Sequence, residues 1–242
     1  MFSPDVTKPL SLAHQLFKSI QAGIKLDITE YNATDYLTPW IETLCDGYIE
    51  VPMPPAILGH TLKDNLGTTV MVNANISDTN RKNFTKAHEL GHILMHSDAL
   101  SEHIPDTKSS ITNYGNKQNG NQSMEFEANF FAANLLLPFN VLKFDVISGY
   151  CVTAIKYKSG VSAELIKWTI VDFLEITYEV HEYDALLIAQ EFIHCFENRK
   201  VRQTKLFKII DRAISLHPLS NSYSIDEARK KNFLLLPQIA VS

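Results

Sequence analysis

The feature that most constrains this chain is the run FTKAHELGHILMH at residues 84–96. Histidines recur there at every fourth position, as His88, His92 and His96, and Glu89 follows the first of them. On an α-helix, four residues turn through about 400° and rise about 6 Å, so His88 and His92 point the same way one turn apart. Two imidazoles in that relation can share one Zn2+ at about 2.0–2.1 Å each. Glu89 is turned about 100° further round the helix. It can reach a water beside such an ion without being a ligand itself, which suits it to the role of general base.

The pattern H-E-x-x-H arises by chance in about 2% of chains of this size and composition, so its surroundings must decide between a metal site and a histidine-rich surface helix. They favour the metal site. The run follows a predicted strand, GTTVMVN, and begins behind Ser77 and Asp78, both suited to cap a helix N-terminus.

Zinc in a hydrolytic site takes a third protein ligand and keeps one position open. The extended form H-E-x-x-H-x-x-G-x-x-H is excluded, because its glycine position holds Met95 and its last histidine position Asp98. The third ligand is therefore expected from another element, the helix MEFEANFFAANLLL that Pro138 stops. Glu125 and Asn129 are four apart and share a face, which suits a carboxylate on the metal and an amide orienting a ligand imidazole. Glu127 lies about 200° round from Glu125, so only one of the two is expected to face the metal. His96 sits about 6 Å beyond His92 along the axis, too far for the same ion, and is expected to pack or to support the site from behind. His60, His103 and Tyr114 are candidates to stabilise an oxyanion, and their spacing does not choose among them.

With 242 residues, 45% of them hydrophobic, the chain can bury a core of ordinary size, as one domain or a domain with an appendage. Cys45, Cys151 and Cys195 are odd in number and far apart, which argues against a disulfide framework and fits a reducing cytosol. The N-terminus lacks a signal-peptide pattern and no apolar run approaches a membrane span, so a soluble, unexported protein is expected. Helix is read over residues 10–45 with interruptions, strands over YIEVP, AILGHTL and GTTVMVN, and a long polar loop over residues 97–123. Further helices are read after Ser162 and over 183–198 and 201–216, with a capping box at Ser224 and Glu227. Residues 172–197 carry seven acidic side chains and no Lys or Arg, whereas residues 199–231 carry nine basic ones. Two attracting helix faces are the simpler reading, and a nucleic-acid surface is the sharper one. Few aromatics interleave with the charges, so direct nucleic-acid binding is not expected.

Taken together, RKNFTKAHELGHILMH, MEFEANFFAANLLLP, TVMVNANISDTNRKNFT and SGVSAELIKWTIVDF resemble the ImmA/IrrE metallopeptidases, over roughly residues 10–175. The resemblance implies an α+β fold with a zincin-like minimal protease core, mostly helical with a small mixed β-sheet. It implies a metallopeptidase domain over residues 1–175, followed by a helical C-terminal extension, 176–242, that matches nothing familiar. It also implies His88, His92 and Glu125 as ligands of one Zn2+ (with Mn2+ as an alternative), Glu89 as the catalytic residue, and a bacterial or phage-borne cytoplasmic protein. Members of that family relieve repression by cleaving a helix-turn-helix repressor in mobile-element or stress control. No such DNA-binding segment is read here, so the substrate is expected to be a separate polypeptide encoded nearby. TVMVN is expected to pair with an extended substrate by edge addition, with loop 97–123 closing over it. The alternative is a non-catalytic, metal-containing regulator that works by binding a transcription factor or DNA.

Overall fold

The computed structural model describes residues 6–24, 28–100, 106–107 and 120–216. Two N-terminal helices, α1 (Thr7–Ile24) and α2 (Thr34–Leu44), flank a 3-10 turn at Ile28–Glu30. Strands β1 (Gly47–Val51), β2 (Ile57–Asp64) and β3 (Gly67–Asn73) lead into α3 (Thr79–Met95), the short strand β4 (Asp106–Thr107) and α4 (Gly120–Leu136). The rest is helical: α5 (Phe139–Ile147), α6 (Val152–Ser159), α7 (Ala163–Tyr178), α8 (Glu182–Ile193), a 3-10 segment at Asn198–Gln203, and α9 (Lys205–Leu216). This is the expected α+β architecture, mostly helical with a small mixed sheet. α5 and α6 were not read from the sequence, because their apolar residues follow no clean helical stripe. The capping box at Ser224 and Glu227 lies outside the described residues.

The sheet runs β1-β3-β2-β4, with β1 parallel to β3 and β2 antiparallel to both β3 and β4. β3 is thus internal: Thr69 to Asn73 pair with β1 on one side, and Gly67 to Val72 pair with β2 on the other. The expectation that TVMVN offers a free edge is corrected here, since both of its hydrogen-bonding edges are occupied. Its alternation reports which face is covered and does not show which strands lie alongside. Val70 and Val72 are fully buried, and such side chains seat a strand against a helical layer wherever that layer lies.

α4 forms the centre of the core. Phe130, Phe131, Leu135 and Leu136 are at most 1% exposed, and Ala128, Ala132 and Ala133 are fully buried, so no solvent face remains along its second half. A helix apolar all round has to be surrounded, and α1 and α3 pack against it. Each large side chain buried there stabilises the fold by about 1.5–3 kcal/mol relative to exposure. Tyr31 adds a polar tie, donating its hydroxyl to Leu135 O at 2.6 Å. Ala185, Phe192, Val201, Leu206 and Ile210, from the chain beyond α7, belong to the same buried cluster as Phe131 and Leu136. Among the described residues no single helix is long and apolar enough to cross a membrane.

α3 starts where the capping residues predict. Asp78 accepts from the backbone N–H groups of Asn80 and Arg81. At the other end Lys8 Nζ donates to Met95 O at 2.9 Å, tying α1 to the helix C-terminus, where a cation is favourable. Asn73, at the end of β3, is 2% exposed and donates to Met53 O, Pro54 O and Ile57 O, so it locks the turn that leads into β2. β2 thereby acquires a defined position over α3. The acidic and basic stretches meet at Glu197, which pairs with Arg199 and Lys200.

Candidate metal centre

His88, Glu89 and His92 are all 0% exposed, although each carries a polar or ionisable side chain. Burying such groups is costly unless each finds a partner. His88 Nε2 and His92 Nε2 lie 3.0 Å apart. From the facing helix, Glu125 places Oε2 3.4 Å from His88 Nε2 and Oε1 3.4 Å from His92 Nε2. Gly91 allows the two helices to come this close. A Cβ at that position would lie 3.0 Å from Phe131 Cδ1 and 3.3 Å from the Ala128 backbone. The side chain of Glu125 is 19% exposed, so the cluster meets solvent on the carboxylate side.

Asn129 determines what His88 presents. Its Oδ1 lies 2.9 Å from His88 Nδ1, and an amide oxygen only accepts, so His88 carries its proton on Nδ1 and its Nε2 offers a lone pair. That lone pair converges with His92 Nε2 and the Glu125 carboxylate on a common point. The edges of this triangle, 3.0 and 3.4 Å, are close to the ~3.3 Å that separates neighbouring ligand atoms around a tetrahedral ion with bonds of about 2.0–2.1 Å. Two nitrogens and one carboxylate are also a donor set that suits a divalent transition metal. The donors present therefore fit a metal ion, and the three residues form a group that can hold one.

The Glu89 carboxylate packs against β2. Thr61 Oγ1 donates to Glu89 Oε2 at 2.6 Å. Gly59, two residues earlier on the same face of β2, leaves room for the carboxylate: a Cβ there would lie 2.2 Å from Glu89 Oε1. Neither Thr61 nor Gly59 was singled out from the sequence. The alternation within AILGHTL puts both on one face, but nothing in the sequence says that this face meets α3. His60, between them, belongs to the opposite face of the strand. His103 and Tyr114 lie outside the described residues.

Glu127, about 200° round from Glu125, is not part of the triangle. Its side chain is long enough to reach His96, with Oε2 3.1 Å from Nε2. His96 Nδ1 in turn lies 2.9 Å from His92 Nδ1. Burial pushes the His96 imidazole below its ordinary pKa, against the opposing pull of Glu127.

A paired-histidine helix facing a carboxylate helix, with a second carboxylate alongside, defines a site of the metallopeptidase type. Residues 50–167 match the family model described as the IrrE N-terminal-like domain, peptidase M78; the chain carries a domain of this metallopeptidase family, in agreement with the ImmA/IrrE resemblance. The matched stretch contains His88, Glu89, His92, Glu125 and Asn129. A comparison with curated proteins found no match.

Proposed function

We propose that this protein is a zinc-dependent endopeptidase in which His88, His92 and Glu125 hold one Zn2+ per chain, or Mn2+ in its place, and Glu89 is the catalytic base. The observation that carries this reading is the triangle of two imidazole nitrogens and a carboxylate at 3.0–3.4 Å, with Glu89 buried next to it in sequence. A divalent cation held there by His88, His92 and Glu125 would supply Lewis acidity toward a scissile carbonyl and would lower the pKa of a nearby water. Thr61 anchors the Glu89 carboxylate, which as general base would take the water's proton and deliver it to the leaving amine.

β2, rather than β3, is the strand beside Glu89, and its edge beyond Gly59 carries no paired strand among the described residues. An extended substrate segment added there would run past the catalytic carboxylate. A cleft of about 340 Å3, lined by Leu58, Ile76 and Arg81 among others, can receive one of its side chains. Arg81 lies eight residues before Glu89 on α3, about 12 Å along the helix axis, whereas Leu58 is the neighbour of Gly59, which abuts the Glu89 carboxylate. By family resemblance, the substrate is a separate helix-turn-helix repressor, cleaved in the cytoplasm to relieve repression in mobile-element or stress control.

The test is incubation of the purified protein with a helix-turn-helix repressor encoded beside its gene, with and without chelator. Cleavage is expected only when metal is present. Glu89→Gln should keep the metal and lower cleavage about 10²–10⁴-fold. Full biological activity in Glu89→Gln would instead favour a metal-containing regulator that works by binding a transcription factor or DNA.

A further inference from the structure

The two histidines of the cluster are supported from behind in different ways. His88 leans on the amide of Asn129, whereas His92 leans on a second imidazole, which leans in turn on a carboxylate. Glu127 Oε2, His96 Nε2, His96 Nδ1, His92 Nδ1, His92 Nε2 and His88 Nε2 form a continuous chain with separations of 3.1, 2.9 and 3.0 Å between successive side chains. Ser123 Oγ donates to the other Glu127 oxygen at 3.4 Å, holding the outer end.

Elementary hydrogen-bond chemistry orders this chain in one direction. A carboxylate only accepts, so His96 gives it the Nε2 proton. A neutral imidazole protonated on Nε2 has its lone pair on Nδ1. His92 must then donate its own Nδ1 proton, which leaves His92 Nε2 as a lone pair facing His88 Nε2. We propose that Glu127 and His96 are positioning residues: a carboxylate–imidazole relay that sets the tautomer of His92 so that Nε2 is available to a metal. The proposal rests on the reading of His88, His92 and Glu125 as a metal site. It adds that the third histidine of the ladder, though not a ligand, controls the second. The simpler role for His96, closing the C-terminus of α3 through its backbone N–H to His92 O at 2.9 Å, needs no particular side chain.

Two measurements separate these roles. The first is a long-range 15N–1H correlation spectrum of the metal-free full chain at pH 8. It should show His92 protonated on Nδ1 and His96 on Nε2. A His92 protonated on Nε2 would overturn the relay, whatever the metal does. The second is zinc affinity by competition with a chromophoric chelator. His96→Ala should weaken zinc binding about 10–100-fold. His96→Asn, whose amide oxygen can stand where Nδ1 stood, should restore most of it, at similar thermal stability. Zinc binding by His96→Ala as tight as in the wild type would overturn the relay and leave the metallopeptidase reading intact. No zinc binding by the wild type would overturn that reading and the proposal with it.

Discussion

Thr61 Oγ1 donates to Glu89 Oε2 at 2.6 Å, from a β-strand to a helix 28 residues later, and neither residue is exposed. This bond holds the carboxylate against β2. Thr61→Val keeps the shape and removes the donor. It is expected to cost about 1–3 kcal/mol, because a buried acceptor loses its partner. It should also lower kcat about tenfold or more with little change in KM. Chemical denaturation and steady-state cleavage assays check both, and Thr61→Ser should recover most of each.

Gly59→Ala tests how tightly Glu89 is confined. The added Cβ would lie 2.2 Å from Glu89 Oε1 and 2.8 Å from Thr85 Cγ2, so the carboxylate must move. A displacement of about 1 Å at a reacting group can cost about 10²-fold in rate. Zinc content by elemental analysis should remain near that of the wild type while cleavage falls by about that factor. Unchanged cleavage would rule out the assigned role of Glu89.

Gly91→Ala acts on the metal site through packing. The new methyl would meet Phe131 Cδ1 at 3.0 Å and the Ala128 backbone at 3.3 Å, and the backbone cannot step aside as a flexible side chain can. Overpacking of this kind costs about 1–3 kcal/mol. Moving α3 from α4 also stretches the distance from Glu125 to both histidines. Thermal unfolding should therefore show a lower Tm, and chelator competition a weaker affinity for zinc.

Glu50 predicts a pH dependence independent of the metal. Its carboxylate takes a hydrogen bond from Lys86 at 2.8 Å and further ones from Tyr48 and Lys82, which hold its pKa down to about 2 from 4.5. A carboxyl group whose pKa is depressed by folding stabilises the protein above its unfolded pKa. That contribution is lost as pH falls through the folded one. The link between β1 and α3 is therefore expected to weaken between about pH 4.5 and 2. Denaturation curves of the metal-free chain across that range should fall less steeply for Glu50→Gln than for the wild type.

Much of this was legible because it is local. Asp78 and Ser162 act as helix caps where their side chains and positions predicted, since an N-cap needs only the next three backbone N–H groups. The three strands and α4 followed from alternation and from a long apolar run. Less legible were the partners of each strand and the contacts of long side chains. β3 was read as an edge although it is central, because period-two burial reports how many faces are covered and says nothing about which strands lie alongside. The helical angle allows only one of Glu125 and Glu127 to face the metal site, but the partner of the other depends on three rotatable bonds, which carry the Glu127 carboxylate to His96.

From the sequence alone came the common face of His88 and His92, because a spacing of four on a helix leaves no alternative, and with it the chemistry that two convergent imidazoles allow. The tertiary structure decided what gathers round them. Glu125 reaches both Nε2 atoms, Thr61 and Gly59 frame Glu89, and Glu127 acts through His96. Each of these depends on how α4 is rotated about its axis and how β2 is laid across α3. Those rigid-body placements are set by the packing of Phe131, Ala128 and Gly91 and by the turn that Asn73 holds. They arise from the whole core at once, so no single stretch of residues displays them.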